Sequence, residues 1–110
     1  MANYYGIPTT MTQKFPALRS FFSAYLHEDW RVEFTDTHLA AKSFLDQEPD
    51  QHLLKQIVDE IDAYLNLKRS DLEVEKGLFD ELGCYYLPSG EGLNPRDWLR
   101  SVRDLIARQF

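Results

Sequence analysis

The chain has 110 residues and a mass of 12.9 kDa, which suits one domain and excludes architectures built on two independent cores. Leucine, isoleucine, valine and phenylalanine make up more than a quarter of it, which excludes a disordered chain. Eighteen acidic residues against 12 basic ones give a formal net charge of −6. We therefore expect no binding to nucleic acid or to anionic membranes, because both repel an acidic surface.

The cysteine content and the apolar stretches bear on the cellular compartment. Cys84 is the single cysteine, so no disulfide forms within the chain, and a reducing cytoplasm is the expected location. The first residues lack the basic and apolar regions of a signal peptide, and no later stretch approaches the roughly 18 apolar residues of a spanning helix. We expect a cytoplasmic protein.

An irregular arm is predicted for residues 1–14, where glycine and proline occur without an apolar period. We expect its apolar residues to pack against the body of the protein: Tyr4, Tyr5 and Ile7. The body is a single helical domain over residues 15–110. Its first helix begins at Pro16, because proline suits the first helical position. Apolar residues then recur every three or four positions: Leu18, Phe21, Phe22, Tyr25 and Leu26.

The segment after this helix, residues 27–36, breaks the helical period. Trp30, Val32 and Phe34 alternate with charged residues, which is compatible with a short extended segment, although a lone strand has no partner. A tryptophan at such a junction is typically a core residue, with Asp29 as a cap or a buried hydrogen-bond acceptor. The alternative is an exposed anchor for a partner, since tryptophan is enriched in interface hot spots.

A second helix is predicted between a cap among Thr35, Asp36 and Thr37 and a break before Pro49. Its expected inward residues are Leu39, Ala40, Phe44 and Leu45. Asp50 caps the third helix, whose apolar stripe is the most regular in the chain. This stripe, which we expect to form the spine of the core, consists of Leu53, Leu54, Ile57, Val58, Ile61, Tyr64 and Leu65.

A fourth helix is predicted from Ser70 or Asp71 to Leu82, where Gly83 supplies the left-handed residue that commonly ends a helix. Its expected inward residues are Leu78, Phe79 and Leu82. Inside this helix, Gly77 lowers the intrinsic stability by about 1 kcal/mol relative to alanine.

Proline and glycine among aromatic residues predict an ordered loop over residues 84–95. It should pack one of three side chains on the core: Tyr85, Tyr86 or Leu87. Asn94 as cap and Pro95 at the first position start the last helix. The apolar face of this helix consists of Trp98, Leu99, Val102, Leu105 and Ile106. The whole pattern predicts an all-α, single compact domain of five helices with an irregular N-terminal arm.

Four arginines lie on the outer face of the last helix: Arg96, Arg100, Arg103 and Arg108. A nucleic-acid-binding stripe is one interpretation, but the domain as a whole is acidic. Asp97 precedes Arg100 by three positions and Asp104 precedes Arg108 by four, which is the spacing of ion pairs along a helix. We therefore expect a face of salt bridges.

The residue types that carry catalysis or bind metals show no recognised arrangement. His27, His38 and His52 are too far apart in sequence for two of them to share one turn of a helix, so no metal site is predicted. Cys84 follows a helix end, where a thiolate is disfavoured, and we expect a small buried residue there. Without a nucleophile, a base and an orienting group, we predict neither an enzyme nor a cofactor.

Four segments resemble a known family in their residues, order and spacing. They are Phe15-Pro16-Ala17-Leu18 with Phe21-Phe22, His27-Glu28-Asp29-Trp30, Leu82-Gly83-Cys84-Tyr85-Tyr86, and Gly92-Leu93-Asn94-Pro95-Arg96-Asp97-Trp98-Leu99. Together they are similar to the small helical immunity proteins of contact-dependent growth inhibition systems. The resemblance implies a bacterial cytoplasmic protein that binds and neutralises the C-terminal toxin domain of a cognate effector, without catalysis. The shared residues are expected to be structural, foremost Asp29, Trp30, Gly83, Tyr85 and Trp98.

The middle of the chain suggests how such a toxin would be bound. Residues 28–81 hold 15 acidic residues against 6 basic ones, and this excess attracts a basic partner. Toxins of this class are often nucleases with basic clefts, so an acidic surface can mimic a phosphate backbone. We predict that outward acids of the third and fourth helices make much of the contact: Asp59, Glu60, Asp62, Glu73 and Glu75.

Two further expectations concern assembly. The apolar faces of five helices can satisfy one another, so we predict a stable monomer when the protein is free. The alternative function is a small acidic adaptor or regulatory subunit that docks a helix of an unrelated partner in an apolar groove.

Overall fold

The computed structural model describes residues 14–110, over which the chain forms six α-helices, one 3-10 helix and no strand. In chain order they are α1 (Pro16–Tyr25), α2 (Trp30–Glu33), α3 (Thr37–Asp46), α4 (Gln51–Leu65), α5 (Asp71–Asp80), the 3-10 helix (Pro88–Glu91) and α6 (Pro95–Ala107). The predicted all-α class is confirmed for this part of the chain. The prediction for Tyr4, Tyr5 and Ile7 falls on residues 1–13, which lie outside the described residues. None of the described helices combines the length and the apolar character needed to cross a membrane.

Four helices begin at a side chain that accepts a hydrogen bond from a backbone N–H of the first turn. These caps are Asp36 for α3, Asp50 for α4, Ser70 for α5 and Asn94 for α6. Ser70 forms a complete capping box with Glu73, in which each side chain accepts a hydrogen bond from the backbone N–H of the other residue. Each cap satisfies an N–H group that has no partner within its helix, which confirms these predicted helix starts.

The core is built around α4 and α6, which pack against each other, with α1 against α4 and with α3 and α5 against α6. The residues that α4 buries are Leu54, Ile57, Val58, Ile61 and Tyr64. Those that α6 buries are Pro95, Trp98, Leu99, Val102 and Ile106. The predicted spine and the predicted apolar face of the last helix therefore meet in one continuous core.

Three residues that were expected to face inward are exposed instead: Leu39 (44%), Leu53 (36%) and Phe79 (46%). Helical spacing identifies the direction of an apolar face but not its width, and these residues lie at its edges. The prediction was wrong for all three, while their neighbours on the same helices, such as Ala40, Leu54 and Leu78, are buried as expected.

The possibility of a short extended segment within residues 27–36 is not realised, because Trp30–Glu33 form α2. A single helical turn contains too few residues to display a helical period. An alternation of apolar and charged residues over four positions therefore does not distinguish such a turn from a strand. Trp30 is a core residue, with its ring edge-on to Tyr86 at 5.7 Å, so the exposed-anchor alternative is wrong. Asp29 is exposed and makes no capping hydrogen bond through its side chain, so neither of its two expected roles is confirmed.

The turn after α5 has the predicted left-handed residue at Gly83, with φ of +68°. A Cβ at this position would also come within 2.7 Å of the Ser23 hydroxyl on α1, so the close approach of the chain favours glycine for a second reason. Of the three candidate core residues in the following loop, Tyr86 is buried, whereas Tyr85 and Leu87 are exposed.

Candidate partner-binding surface

Asp59 is the predicted contact residue whose carboxylate is most available to a partner. It lies exposed on α4, where Lys55 approaches it at 3.3 Å from one turn earlier. An exposed ion pair of this spacing contributes only about 0.3–0.5 kcal/mol, so a partner can displace it at little cost.

Glu60, the next residue, has a structural role instead. Its Oε1 accepts a hydrogen bond from the backbone N–H of Leu18 at 2.8 Å, and its Oε2 accepts one from Gln56 at 2.8 Å. Phe15 occupies the N-cap position of α1 and provides no capping side chain. A carboxylate of α4 therefore caps α1 from outside, with its negative charge at the positive end of the helix.

Asp62 joins α4 to α6. Both of its carboxylate oxygens accept hydrogen bonds from Arg103, at 3.0 and 3.2 Å. Hydrogen bonding to Asp62 is the main cause of the raised pKa of the Arg103 guanidinium. Because the two charges compensate each other, Asp62 adds little to the negative field of the surface.

The face of salt bridges that was expected on α6 is present in part. Asp97 pairs with Arg100 at 3.3 Å as predicted. The second predicted pair is wrong, because Asp104 lies 3.3 Å from Arg103 and makes no salt bridge with Arg108 among the described residues.

The two remaining predicted acids lie on α5 and bond to their own protein. Glu73 closes the capping box with Ser70, whose backbone N–H is the main cause of the lowered pKa of the Glu73 carboxyl. Glu75 accepts hydrogen bonds from the backbone N–H of Ser89 at 2.8 Å and from its hydroxyl at 2.6 Å. It thereby fixes the 3-10 helix against α5. As for Glu60, the donors to both carboxylates are uncharged, so these hydrogen bonds do not compensate the negative charges.

Other acids are more fully available. Five exposed carboxylates make no hydrogen bond or salt bridge with any residue between 14 and 110: Glu28, Asp29, Asp46, Glu48 and Asp80. Asp46, Glu48 and Asp80 do not stand out from the other acids in the sequence, because lack of a partner is visible only once the neighbours of each acid are known.

An exposed pair of aromatic rings lies near some of these acids. Phe79 and Tyr85, here called the aromatic pair, contact each other edge to face with centroids 4.9 Å apart, and nearly half of each side chain is exposed. The backbone N–H of Tyr85 donates to the carbonyl of Leu26 at 2.9 Å, which places the pair beside the turn between α1 and α2. Helical spacing assigned Phe79 to the core, so the sequence did not indicate this pair.

The described residues offer little chemistry beyond binding. No group of three or more His, Cys, Asp or Glu side chains within residues 14–110 could hold a metal ion. Cys84 is fully buried, as expected, and burial raises the pKa of its thiol to about 12, so it stays protonated. An open cleft of about 410 Å³ beside α5 is lined by both signs of charge, and Arg69 and Glu81 within it pair with each other at 2.7 Å.

Residues 14–110 thus form a small all-helical protein with a buried thiol and an exposed aromatic pair. Residues 14–106 match the model of the CdiI immunity protein family. The chain therefore belongs to this family, whose members are non-catalytic toxin inhibitors.

The fold is similar to a chain in the crystal structure of the CdiA-CT/CdiI complex from Y. kristensenii 33638, with a TM-score of 0.77. The two are 23% identical, and the match covers 87% of this chain and 96% of that one. At this identity the likeness concerns the fold. No curated protein matches the chain significantly.

Proposed function

We propose that this protein binds the C-terminal toxin domain of its cognate contact-dependent growth inhibition effector in the cytoplasm and neutralises it without catalysis. The observation that carries the proposal is the family match across residues 14–106, which spans α1 to α5 and all but the last residue of α6. The similar fold belongs to a structure whose CdiI is in complex with CdiA-CT, and this supports a toxin of that kind as partner.

We further infer that the toxin presents a basic surface, as a nuclease does. The net charge of −6 and the acids of α4 and α5 create a negative field on this side of the protein. Glu60, Glu73 and Glu75 contribute to this field although they are bonded internally, because their donors are uncharged. Asp59 is the proposed direct contact among the predicted acids, and Asp62 the weakest contributor. Such a field accelerates association with a basic partner.

The adaptor alternative requires a groove that can seat a helix. The apolar groove between α1, α3 and α4 is lined by Ala17, Ser20, Phe21, Ala24, Tyr25, Phe44, Leu53 and Ile57 and has a volume of about 120 Å³. The family match across residues 14–106 favours toxin binding over this alternative.

Titration of the purified cognate toxin domain with this protein, at low and at high salt, tests the proposal. We expect a tight complex of one copy each, loss of toxin activity at equimolar protein, and an association rate that falls steeply with salt. Absence of binding contradicts the function, and a rate that does not depend on salt contradicts the electrostatic mechanism.

A pair of charge reversals locates the effect. Asp59→Lys on α4 and Asp97→Lys on α6 change the net charge equally, and both carboxylates are exposed within a helical ion pair. We expect the association rate to fall more for Asp59→Lys. Equal rates for the two variants would show that only the total charge matters.

A further inference from the structure

We propose that the aromatic pair, Phe79 and Tyr85, is the apolar centre of the toxin interface, and that the unpaired acids Glu28, Asp29 and Asp80 form its rim. This inference rests on the proposed function and specifies which surface performs it. It adds an apolar centre, at the end of the molecule where α1 and α5 meet, to the acidic contact proposed on α4.

The aromatic pair is placed rigidly. Phe79 lies in the last turn of α5, and Gly83 turns the chain back so that Tyr85 returns to it. The backbone hydrogen bond from Tyr85 to Leu26 ties the second ring to the end of α1. Because these backbone positions are fixed, little conformational entropy is lost when a partner covers the rings. Exposed aromatic side chains on a rigid support are typical of interface hot spots.

Hydrogen bonds hold the backbone that carries two of the rim acids. The backbone N–H of Asp29 donates to Nδ1 of His27 at 3.0 Å, and the N–H of Trp30 donates to the His27 carbonyl at 3.0 Å. These bonds hold the turn that carries Glu28 and Asp29, two and three residues after Leu26. Asp80 follows Phe79 directly at the end of α5. Asp80 is thus adjacent in sequence to Phe79, and Glu28 and Asp29 follow closely the residue whose carbonyl binds Tyr85.

Of the three basic side chains near this rim, Arg31 pairs with a carboxylate, whereas Arg19 and Lys76 keep their positive charge. Arg31 lies over the ring of Trp30 and pairs with Glu91 at 3.3 Å. Arg19 donates to the uncharged carbonyl of Glu81 at 2.6 Å, and Lys76 lies one turn before Asp80 on α5. An apolar centre beside three unpaired carboxylates, which outnumber these two cations, is complementary to a basic protein surface with an apolar patch.

Truncation of the rings tests the centre of the interface. We expect Phe79→Ala and Tyr85→Ala each to weaken binding of the cognate toxin domain by roughly 30-fold or more, mainly through faster dissociation. Leu39→Ala is the matched control, because Leu39 is a similarly exposed apolar residue on α3. An unfolding temperature close to that of the wild-type protein shows that each variant is folded.

Neutralisation of two acids tests the rim. The double variant Glu28→Gln/Asp29→Asn should lower the association rate and its dependence on salt. The control Asp46→Asn/Glu48→Gln changes the net charge equally, at two unpaired acids beside the end of α3. Long-range attraction depends on total charge, which the two double variants change equally. A larger fall of the association rate for Glu28→Gln/Asp29→Asn therefore shows that these acids lie near the interface.

The outcomes separate this inference from the proposed function. If the wild-type protein does not bind the toxin, the function itself fails. If it binds, but both ring truncations stay within threefold of wild type, the interface lies elsewhere and only this inference is overturned. Amide NMR shifts that change on complex formation at residues 26–30 and 79–85 support it, and shifts confined to other helices overturn it.

Discussion

Gly77 lies against the hydroxyl of Tyr64, so close that a Cβ on residue 77 would overlap the phenol oxygen. The hydroxyl donates to the carbonyl of Val74 at 3.0 Å and accepts from Arg69, which pairs in turn with Glu81. α5 can approach Tyr64 on α4 this closely only because residue 77 has no side chain. The glycine that weakens α5 as an isolated helix is thus required by its packing.

Gly77→Ala should lower the free energy of unfolding by about 1–3 kcal/mol, because relief of the overlap with Tyr64 displaces a buried hydrogen bond. Helix propensity alone predicts the opposite, a gain of about 1 kcal/mol. Gly90→Ala is the control, since a Cβ there meets nothing within 4 Å. Urea unfolding followed by circular dichroism measures both, and an alanine variant at 77 as stable as wild type contradicts the packing argument.

Thr37→Val should destabilise the protein by about 1–3 kcal/mol, because it leaves a buried donor without a partner. The indole N–H of Trp98 donates to the Thr37 hydroxyl at 2.9 Å, and both side chains are buried. Thr35→Val makes the same chemical change at an exposed position and should stay within about 0.5 kcal/mol of wild type. Equal stabilities of the two variants in urea would show that the buried hydrogen bond contributes nothing.

Glu60→Ala and Asp59→Ala should differ although the residues are adjacent. Loss of Glu60 removes the acceptor for Leu18 N–H and should cost about 0.5–2 kcal/mol, as loss of a helix cap does. Asp59→Ala loses only an exposed ion pair and should change stability by less than about 0.5 kcal/mol. Hydrogen exchange at the Leu18 amide should accelerate in the first variant alone, and unchanged exchange there contradicts the capping role.

Stability should fall in alkali, and Cys84 should account for its first part. Burial raises the pKa of the Cys84 thiol and of the Tyr64 phenol to about 12 each. In the unfolded chain a thiol ionises near about 8.5 and a phenol near about 10. Above those values the folded protein binds more protons than the unfolded chain, so stability is lost as pH rises towards about 12.

The test compares Cys84→Ala with wild type by urea unfolding from pH 7 to pH 10. The variant should lose less stability over this range than wild type, each relative to its own value at pH 7, because the group that ionises first is gone. Identical slopes for the two proteins would contradict this assignment.

Local signals explain why most of the fold was predictable. Asp50 and the apolar stripe that begins with Leu53 act within one helix, so the start of α4 and, apart from Leu53 itself, its buried face follow from neighbouring residues alone. α2 was missed because one turn has no period to detect. Phe79 was misplaced because spacing cannot show that α5 buries only a narrow face around Val74, Gly77 and Leu78.

The acids show where sequence reasoning stops. Glu60, Asp62 and Glu75 have the spacing of solvated helix surface, yet they bond to groups 42, 41 and 14 positions away. Such partners depend on how the helices pack, which no local pattern contains. The same packing leaves Asp80 without a partner among residues 14–110 and brings Tyr85 to Phe79.

Growth of cells that produce the cognate toxin domain together with this protein tests the central claim most directly. Full growth is predicted with this protein, and arrest with an immunity protein from an unrelated toxin system as control. Arrest that persists although the protein accumulates in folded form would contradict its role as the inhibitor of that toxin.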